Sequence, residues 1–326
     1  MRNVAVIGAG MAGCVVARRL VDAGLSVHVF DKGRAAGGRM ASRRAGLRRF
    51  DHGAQFMTVR GHAMRSWLDD WQRAGVIAPW EGACTADNAR WVAVPGMNAL
   101  APRMLWGAEL HAGTRVLALR RDRYGFALMT EAGPVADCFD AVVLTMPAPQ
   151  ATELLRSSDL EHAEAMRADL DRVRYEPCWS LMLAFDSRLP VEDVLRPAAG
   201  PLSWAARDSS KPQRDPSQEC WVAHAGADWS TTHLESAPED IATALTQSFL
   251  AQIPGSPSPV HQTAHRWRYA RVSRALGRPC LWHPEIGLGY ASDGCIGARI
   301  EDAFDSGFAL ADSLLGQDLA SSGRRP

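Results

Sequence analysis

Four residues near the start of the chain, Gly8, Gly10, Gly13 and Asp31, have types and spacing that could do chemistry. The loop Gly8-Ala9-Gly10-Met11-Ala12-Gly13 follows the apolar run Asn3 to Ile7, which reads as a parallel strand buried on both faces. Cys14 to Ala23 then reads as a helix, with Val16, Ala17 and Leu20 on one side and Gly24 as its stop. Leu25 to Phe30 is a second strand, ending at Asp31. In this setting Gly8 permits the tight turn, Gly10 lets the backbone approach a pyrophosphate, and Gly13 lets the helix pack closely on the strand. The backbone at Met11 and Ala12 opens the helix, where free N–H groups and a partial positive charge suit an anion. Asp31 lies 18 positions after Gly13, where a carboxylate can accept hydrogen bonds from both hydroxyls of a ribose. The chemistry is therefore dinucleotide binding. The competing reading is a glycine-rich turn with no ligand.

A dinucleotide site of this kind suits NAD or FAD. Lys32 to Arg39 reads Lys-Gly-Arg-Ala-Ala-Gly-Gly-Arg, a second glycine patch directly after the ribose acid. Gly37 and Gly38 would bring the backbone near a ligand, and Arg39 could bind phosphate through both arms of its guanidinium. Simple nicotinamide dehydrogenases do not need this patch. It resembles the GG-R segment of the flavin amine oxidase superfamily, which includes phytoene desaturases and protoporphyrinogen oxidases. Phe50-Asp51-His52-Gly53-Ala54-Gln55-Phe56 is similar to a segment of bacterial renalase-like proteins. Asp293-Gly294-Cys295-Ile296-Gly297-Ala298-Arg299-Ile300-Glu301-Asp302-Ala303 resembles the superfamily's closing flavin motif. Further renalase-like segments lie at Val94 to Met97, Pro177 to Trp179, Asp228 to Glu235 and His265 to Ala270, so the resemblance covers nearly the whole chain.

The resemblance implies non-covalent FAD. It implies contacts from Lys32, Gly38, Arg39, Gln55 and Phe56, from the backbone of Val116 near the adenine, and from Asp293 near the ribityl or phosphate region. A helix opening at Ile300 would point its positive end at the flavin pyrimidine. The wider superfamily more often has Glu where this chain has Asp31; either carboxylate reaches a ribose. The resemblance also implies a renalase-type oxidase. Its substrate would be an isomeric 2- or 6-dihydro-NAD(P), with hydride passing to flavin N5 and O2 reduced to H2O2. A flavin amine oxidase or desaturase-type dehydrogenase is the alternative, and a non-catalytic FAD-binding module is another.

Candidates for the substrate pocket come from alternation in a strand. From His261 to Tyr269, His265, Trp267 and Tyr269 fall on one face, and Arg266 and Arg268 on the other. An aromatic face suits a planar nicotinamide-like ring; the competing reading is a sheet with one packed and one solvated face. Gln55 and the turn at Gly96 and Met97 are the other candidates. The 36 basic residues comprise 34 arginines and two lysines, Lys32 and Lys211. Superfamily members that oxidise amines hold a lysine near flavin N5 through water. Lys32 belongs to the ribose end, and Lys211 falls in Ser209 to Gln218, which reads as an exposed polar loop. On this reading no lysine is available, and arginine cannot act as a proton acceptor. That favours a dihydronicotinamide over an amine. No Ser-His-Asp or metal-binding set is required, and none is visible.

The elements that must position these residues are legible in outline. An α/β architecture is expected, with a Rossmann-type FAD-binding domain of the GR2 kind from 1–61, 93–149 and 275–326. A second, α+β substrate domain would comprise 62–92 and 150–274. His62 to Gly75 reads as an amphipathic helix. Thr114 to Leu119, Asp140 to Thr145, Leu181 to Phe185 and Cys220 to Ala225 read as strands. Ser236-Ala237-Pro238-Glu239 reads as a capping box opening a helix to about Gln252. From Ile300 an apolar stripe through Phe304, Phe308, Ala311 and Leu315 repeats at helical spacing.

The 326 residues carry 36 acidic groups against the 36 basic ones, with 47% apolar residues. That supports a packed core and argues against a nucleic-acid binder or a polybasic membrane anchor. Seven scattered cysteines with no CxxC pair speak against a zinc or redox-pair site and for a reduced, cytoplasmic compartment. Arg2 followed by Val4 to Val16 imitates a signal peptide, and Met11-Ala12-Gly13-Cys14 a lipoprotein cleavage box, but Gly8, Gly10 and Gly13 and the pattern after them read as fold.

Overall fold

The computed structural model describes residues 3–84, 89–158, 160 and 163–322. Arg2 lies outside them; from Asn3 onward the signal-like segment is strand, loop and helix. The chain opens with β1 (Asn3–Ile7), α1 (Met11–Asp22), β2 (Ser26–Asp31) and α2 (His62–Arg73). β3 (Glu109–Ala112), β4 (Val116–Asp122), β5 (Gly125–Thr130) and β6 (Ala141–Leu144) follow. Next come β7 (Arg174–Phe185), β8 (Leu202–Arg207), β9 (Glu219–Ala225), α3 (Pro238–Ala251) and β10 (His261–Arg274). The chain returns with β11 (Leu281–His283), β12 (Leu288–Tyr290) and α4 (Ile300–Ser322).

Two sheets carry the molecule. The first has the order β11-β12-β6-β1-β2-β3, parallel throughout except for the β11–β12 pair. Its central strand shows why a continuous apolar run is required. Val4 and Val6 face one core with α1 and α4, while Ala5 and Ile7 face another with β5 and the helix Ala148–Arg156. Both faces are covered, so a polar residue at either register would be buried. α1 and α4 cross so closely that a Cβ on Gly307 would lie 2.5 Å from the carbonyl oxygen of Ala12.

The second sheet is antiparallel, ordered Val194–Leu195, β8, β9, β7, β10. Leu181, Leu183, Trp221 and Ala223 face α3 through Ile241, Leu245 and Phe249. The alternate residues Met182 and Val222 face the first domain through Phe50. The sheet thus lays one face over the glycine-rich segments.

Two sequence expectations shift here. Residues expected to belong to a second domain, among them Met64, Leu68, Trp71, Ile77 and Val92, share a core with α1 and α4. Met64, Leu68 and Trp71 of α2 belong to the cluster containing Phe304 of α4, and Trp67 meets that ring edge-on at 5.2 Å. The apolar stripe of α2 finds its partner surface on α4. The capping box is also displaced. α3 has Ala237 at its N-cap with no side-chain cap, and Pro238 at the first turn starts the helix through its fixed φ. Among the described residues no helix is long and apolar enough to cross a membrane.

Candidate functional site

The glycine loop sits at the end of β1. Gly8 has φ +113°, and a Cβ there would lie 2.6 Å from the Thr145 hydroxyl, so its glycine serves the turn. A Cβ on Gly13 would lie 2.0 Å from the Gly8 carbonyl oxygen, so its glycine serves close packing. Gly10 differs from both. Its backbone is extended, and a Cβ there meets no protein atom within 4 Å. Nothing in the protein requires glycine at Gly10, and the open space lies at the mouth of α1. That helix has no side-chain cap and no acid in its first turn. The side chains of Met11 and Ala12 are buried, and as the first residues of α1 their amides lack partners within the helix. An anionic ligand fits this cradle.

Asp31 frames the other side. One oxygen accepts from the amide of Ala9 at 2.6 Å and the other from Gly33 at 2.7 Å, leaving a lone pair on each for a ribose. Thr114 donates its amide to the Asp31 carbonyl, so the strand carrying Val116 starts beside the acid. Lys32 is exposed at this end. Gly37 donates to the Ala9 carbonyl, and a Cβ on Gly38 would lie 3.2 Å from Gly10 Cα. The second glycine patch therefore lies directly on the first.

Arg39 does something other than the phosphate clamp expected of it. Its two arms donate to the two Asp293 oxygens at 2.6 Å each, and Nη1 also reaches the carbonyls of Tyr269 and Ala270 at 3.2 and 3.3 Å. With its fork filled by a carboxylate 254 positions away, Arg39 joins the glycine patch, β10 and the C-terminal motif. Ala54 donates its amide to the Arg39 carbonyl at 2.8 Å, which docks the 50–56 segment on the same point. Phe56 is half-buried under the Arg90 guanidinium, 4.3 Å from its ring.

Ile300 opens α4 as expected, but the helix start is not simply positive. Glu301 and Asp302 sit in its first turn, nearly fully buried. Glu301 accepts from the amides of Arg60 and Gly61 at 2.6 Å each, and Asp302 from the amide of Arg299 at 2.8 Å. Their charge offsets the helix dipole there.

Lys211 departs most from expectation. Ser209, Lys211 and Glu219 are buried, and only Gln213 and residues 215–217 of the supposed loop are exposed. The Lys211 ammonium donates to Asp208 at 2.6 Å, to the side-chain oxygen of Gln55 at 3.0 Å and to Asp51 at 3.2 Å. Asp51 also accepts from Arg214 and Ser42 at 2.5 Å each and from the amide of Met97 at 2.9 Å. Burial opposes its charge, yet Lys211 and Arg214 hold its carboxyl well below the usual range. For Asp208 burial dominates, and its carboxyl is raised.

This cluster removes three pocket candidates. Gln55 has its amide nitrogen bound to the carbonyls of Asp51 and Gly53 and its oxygen bound to Lys211, so its side chain faces inward. Met97 is fully buried in the core, and Gly96 is buried where a Cβ would lie 2.7 Å from Arg49. The buried ammonium needs acceptors, and this part of the chain folds around it.

His265 and Trp267 in β10 are half-buried and packed together, while Tyr269, also half-buried, meets Tyr175 of β7 edge-on at 5.9 Å. His265 and Trp267 meet edge to face at 4.5 Å, and both contact the His52 ring, at 4.8 and 5.2 Å. Trp267 donates to the His52 carbonyl at 2.9 Å. Strand register continues the row: His265 pairs with Ser180, Ser180 with His224, and His224 with Trp204. His52 Nδ1, Ser180 Oγ and His224 Nε2 are buried without a hydrogen bond among the described residues. Single-strand periodicity missed Ser180, His224 and Trp204. The available signal was a polar residue at one register of otherwise apolar strands.

Burial is the first cause that keeps these imidazoles neutral, and neighbouring positive charge adds to it. His52, His224 and His265 are all pushed down to about 4. Unfolded imidazoles titrate near about 6.5. Between those values the unfolded chain binds protons that the folded chain does not. Stability is therefore full above the unfolded value and falls as pH drops toward 4, by up to about 1.4 kcal/mol per pH unit for each imidazole. Denaturant titrations between about pH 7 and pH 5 test this, and a flat profile contradicts neutral burial.

Residues 6–71 match the family profile of an NAD(P)-binding Rossmann-like domain, and residues 73–315 that of a flavin-containing amine oxidoreductase. The chain belongs to the flavin-containing amine oxidoreductase family and is a flavin-dependent oxidoreductase. Within that family it is similar to renalase from Mus musculus, with 27% identity over 307 residues, 85% of this chain and 87% of that protein. It is also similar to the tRNA 5-methylaminomethyl-2-thiouridine biosynthesis bifunctional protein MnmC from Thiobacillus denitrificans. There the identity is 28% over 98% of this chain but only 57% of the longer protein. In fold it resembles an oxidoreductase from Methanosarcina mazei, with TM-score 0.67 and 13% identity over 95% of this chain and 100% of that one. It also resembles a triple mutant of putrescine oxidase, with TM-score 0.72 and 12% identity over 97% and 99% of the two chains.

Proposed function

We propose that the chain binds FAD non-covalently and oxidises isomeric 2- or 6-dihydro-NAD(P) to NAD(P)+. The observation that carries this is the wall of His52, His265 and Trp267, with neutral polar atoms of His52, Ser180 and His224 left over beside it. A flat aromatic wall orients a planar ring. Neutral imidazoles and a hydroxyl can both donate to and accept from a carboxamide. An alkylammonium would call for a negative group, and the buried carboxylates near the wall, Asp51 and Asp208, are engaged by Lys211 and Arg214. The three N–H groups of Lys211 are spent on Asp208, Gln55 and Asp51, so it has none left to hold a water.

When bound, FAD supplies the two-electron acceptor and returns the electrons to O2, so one dihydronicotinamide, one O2 and one proton give one oxidised nicotinamide and one H2O2. The chain's own part is to bind and orient. The Gly8–Gly13 loop and the open end of α1 hold the pyrophosphate, and Asp31 holds the ribose. The aromatic wall of β10 stacks the substrate ring. A dihydronicotinamide isomer is already an activated hydride donor, so no base has to take a proton from carbon.

Anaerobic mixing of the flavin-loaded protein with 6-dihydro-NAD, with 4-dihydro-NADH and with a panel of amines tests the reading. Rapid bleaching of the flavin by the 6-dihydro isomer alone is expected. Bleaching by an amine makes the chain an amine oxidase, and a bound flavin that no donor bleaches makes it a binding module; either result overturns the proposal.

A further inference from the structure

The edge of the first sheet brings together two imidazoles and a carboxylate that the flavin site does not use. β2 and β3 run parallel with His28 paired to Glu109 and Phe30 to His111. Directly paired residues, and residues two apart in one strand, share a face, so His28, Glu109 and His111 project to the same side. His28 Nδ1 lies 3.3 Å from His111 Nε2. The Glu109 carboxylate has one oxygen 3.6 Å from His28 Nδ1 and the other 3.4 Å from His111 Nε2.

We infer that these three side chains form a binding site for a borderline divalent transition cation of the zinc type. Zinc bonds to imidazole nitrogen at 2.0–2.1 Å in tetrahedral sites, which sets ligand atoms about 3.3–3.4 Å apart. His28 Nδ1 and His111 Nε2 already stand at that separation, 3.3 Å, and one carboxylate oxygen of Glu109 lies within 4.8 Å of both, so a rotation of its exposed side chain completes one face of such a tetrahedron. The donor set of two imidazoles and one carboxylate suits a cation of this hardness. The rings are held before any ion arrives. His111 stacks on Phe30 at 4.4 Å and on His28 at 5.5 Å, both at 7° between planes. His28 meets Phe139 edge-on at 5.3 Å. Glu109 is largely exposed, which opens the fourth position to water. Among the described residues this is the one group of three or more such side chains that converges closely enough.

The site also has a structural consequence. β3 is an edge strand with β2 as its neighbour in the sheet. A cation on His28, Glu109 and His111 would cross-link the two strands one residue before Asp31 pairs with Ala112. It would steady the edge that carries the ribose acid. This inference is independent of the substrate reading above.

The test is zinc titration of the full chain, freed of metal with a chelator, by calorimetry and thermal melting. One zinc per chain and a raised Tm are expected. Glu109→Gln, at an exposed position, should leave the zinc-free Tm unchanged and weaken zinc binding at least about tenfold; His111→Ala should weaken it further. Cobalt in place of zinc should show visible d–d bands without the charge-transfer absorption of a thiolate, which separates this site from the seven cysteines. No uptake with zinc in excess, uptake unchanged in both variants, or a thiolate band overturns the inference.

Discussion

Lys211→Met is expected to destabilise the chain by about 3–5 kcal/mol, the range for removing one partner from a buried charge cluster. The lysine side chain has no exposure, and neither do those of Asp51 and Asp208. Removing the ammonium leaves Arg214 for Asp51 and, among the described residues, no cation within ion-pair distance of Asp208. It also strips the side-chain oxygen of Gln55 of its donor. Burial already raises the Asp208 carboxyl, and Lys211 is the first opposing influence. Without it the carboxyl rises further, so the folded variant holds a proton that the unfolded chain releases. The Asp208 contribution to stability is then full at acid pH and is lost as pH rises through the folded titration range, opposite in sign to that of the buried imidazoles. The double change Lys211→Met with Asp208→Asn removes the surplus charge and should recover part of the loss. Urea denaturation of the single and double variants across pH measures both effects. A single variant within about 1 kcal/mol of the parent would show that the cluster is not a closed ionic unit.

Gly10→Ala is expected to weaken FAD binding on the order of a hundredfold, about 2.7 kcal/mol, while leaving the flavin-free protein folded. The backbone of Gly10 is one that any residue adopts, and a Cβ there touches no protein atom. Its stability cost is that of an alanine at a helix N-cap, about 1 kcal/mol or less. Gly13→Ala should behave in the opposite way. Its methyl group would sit 2.0 Å from the Gly8 carbonyl oxygen, so the helix must move off the strand, with an overpacking loss of about 1–3 kcal/mol. Melting the flavin-free variants and titrating them with FAD separates the two roles. Undiminished FAD affinity in Gly10→Ala would mean that no ligand backbone passes over this position.

The local part of this reading was legible because its contacts are short in sequence. β1, the loop, α1, β2 and Asp31 lie within one βαβ start, where strand period, helix stop and glycine spacing are each set within a few residues. The aromatic face of β10 was legible for the same reason, since alternation along one strand is a property of the backbone pleat. Gln55 and Lys211 were misread because their roles are mutual. A lysine among Ser, Pro, Gln and Arg looks solvated until Asp51 and Asp208 arrive from elsewhere, and a glutamine beside a glycine segment looks free until that lysine claims its oxygen. The pairing of Arg39 with Asp293 was not legible, because the two residues lie 254 positions apart.

The chain's first 31 residues and its alternating strands therefore determine by themselves that a dinucleotide fold forms and that one face of β10 is aromatic, because these follow from local geometry and burial. The tertiary structure alone decides which charges meet. Arg39 with Asp293, Lys211 with Asp51, and His28 with Glu109 and His111 join residues from separate segments of the sequence. Burial raises the energetic cost of leaving Asp293, Lys211 or Asp51 unpaired, and no spacing rule along the chain encodes that condition.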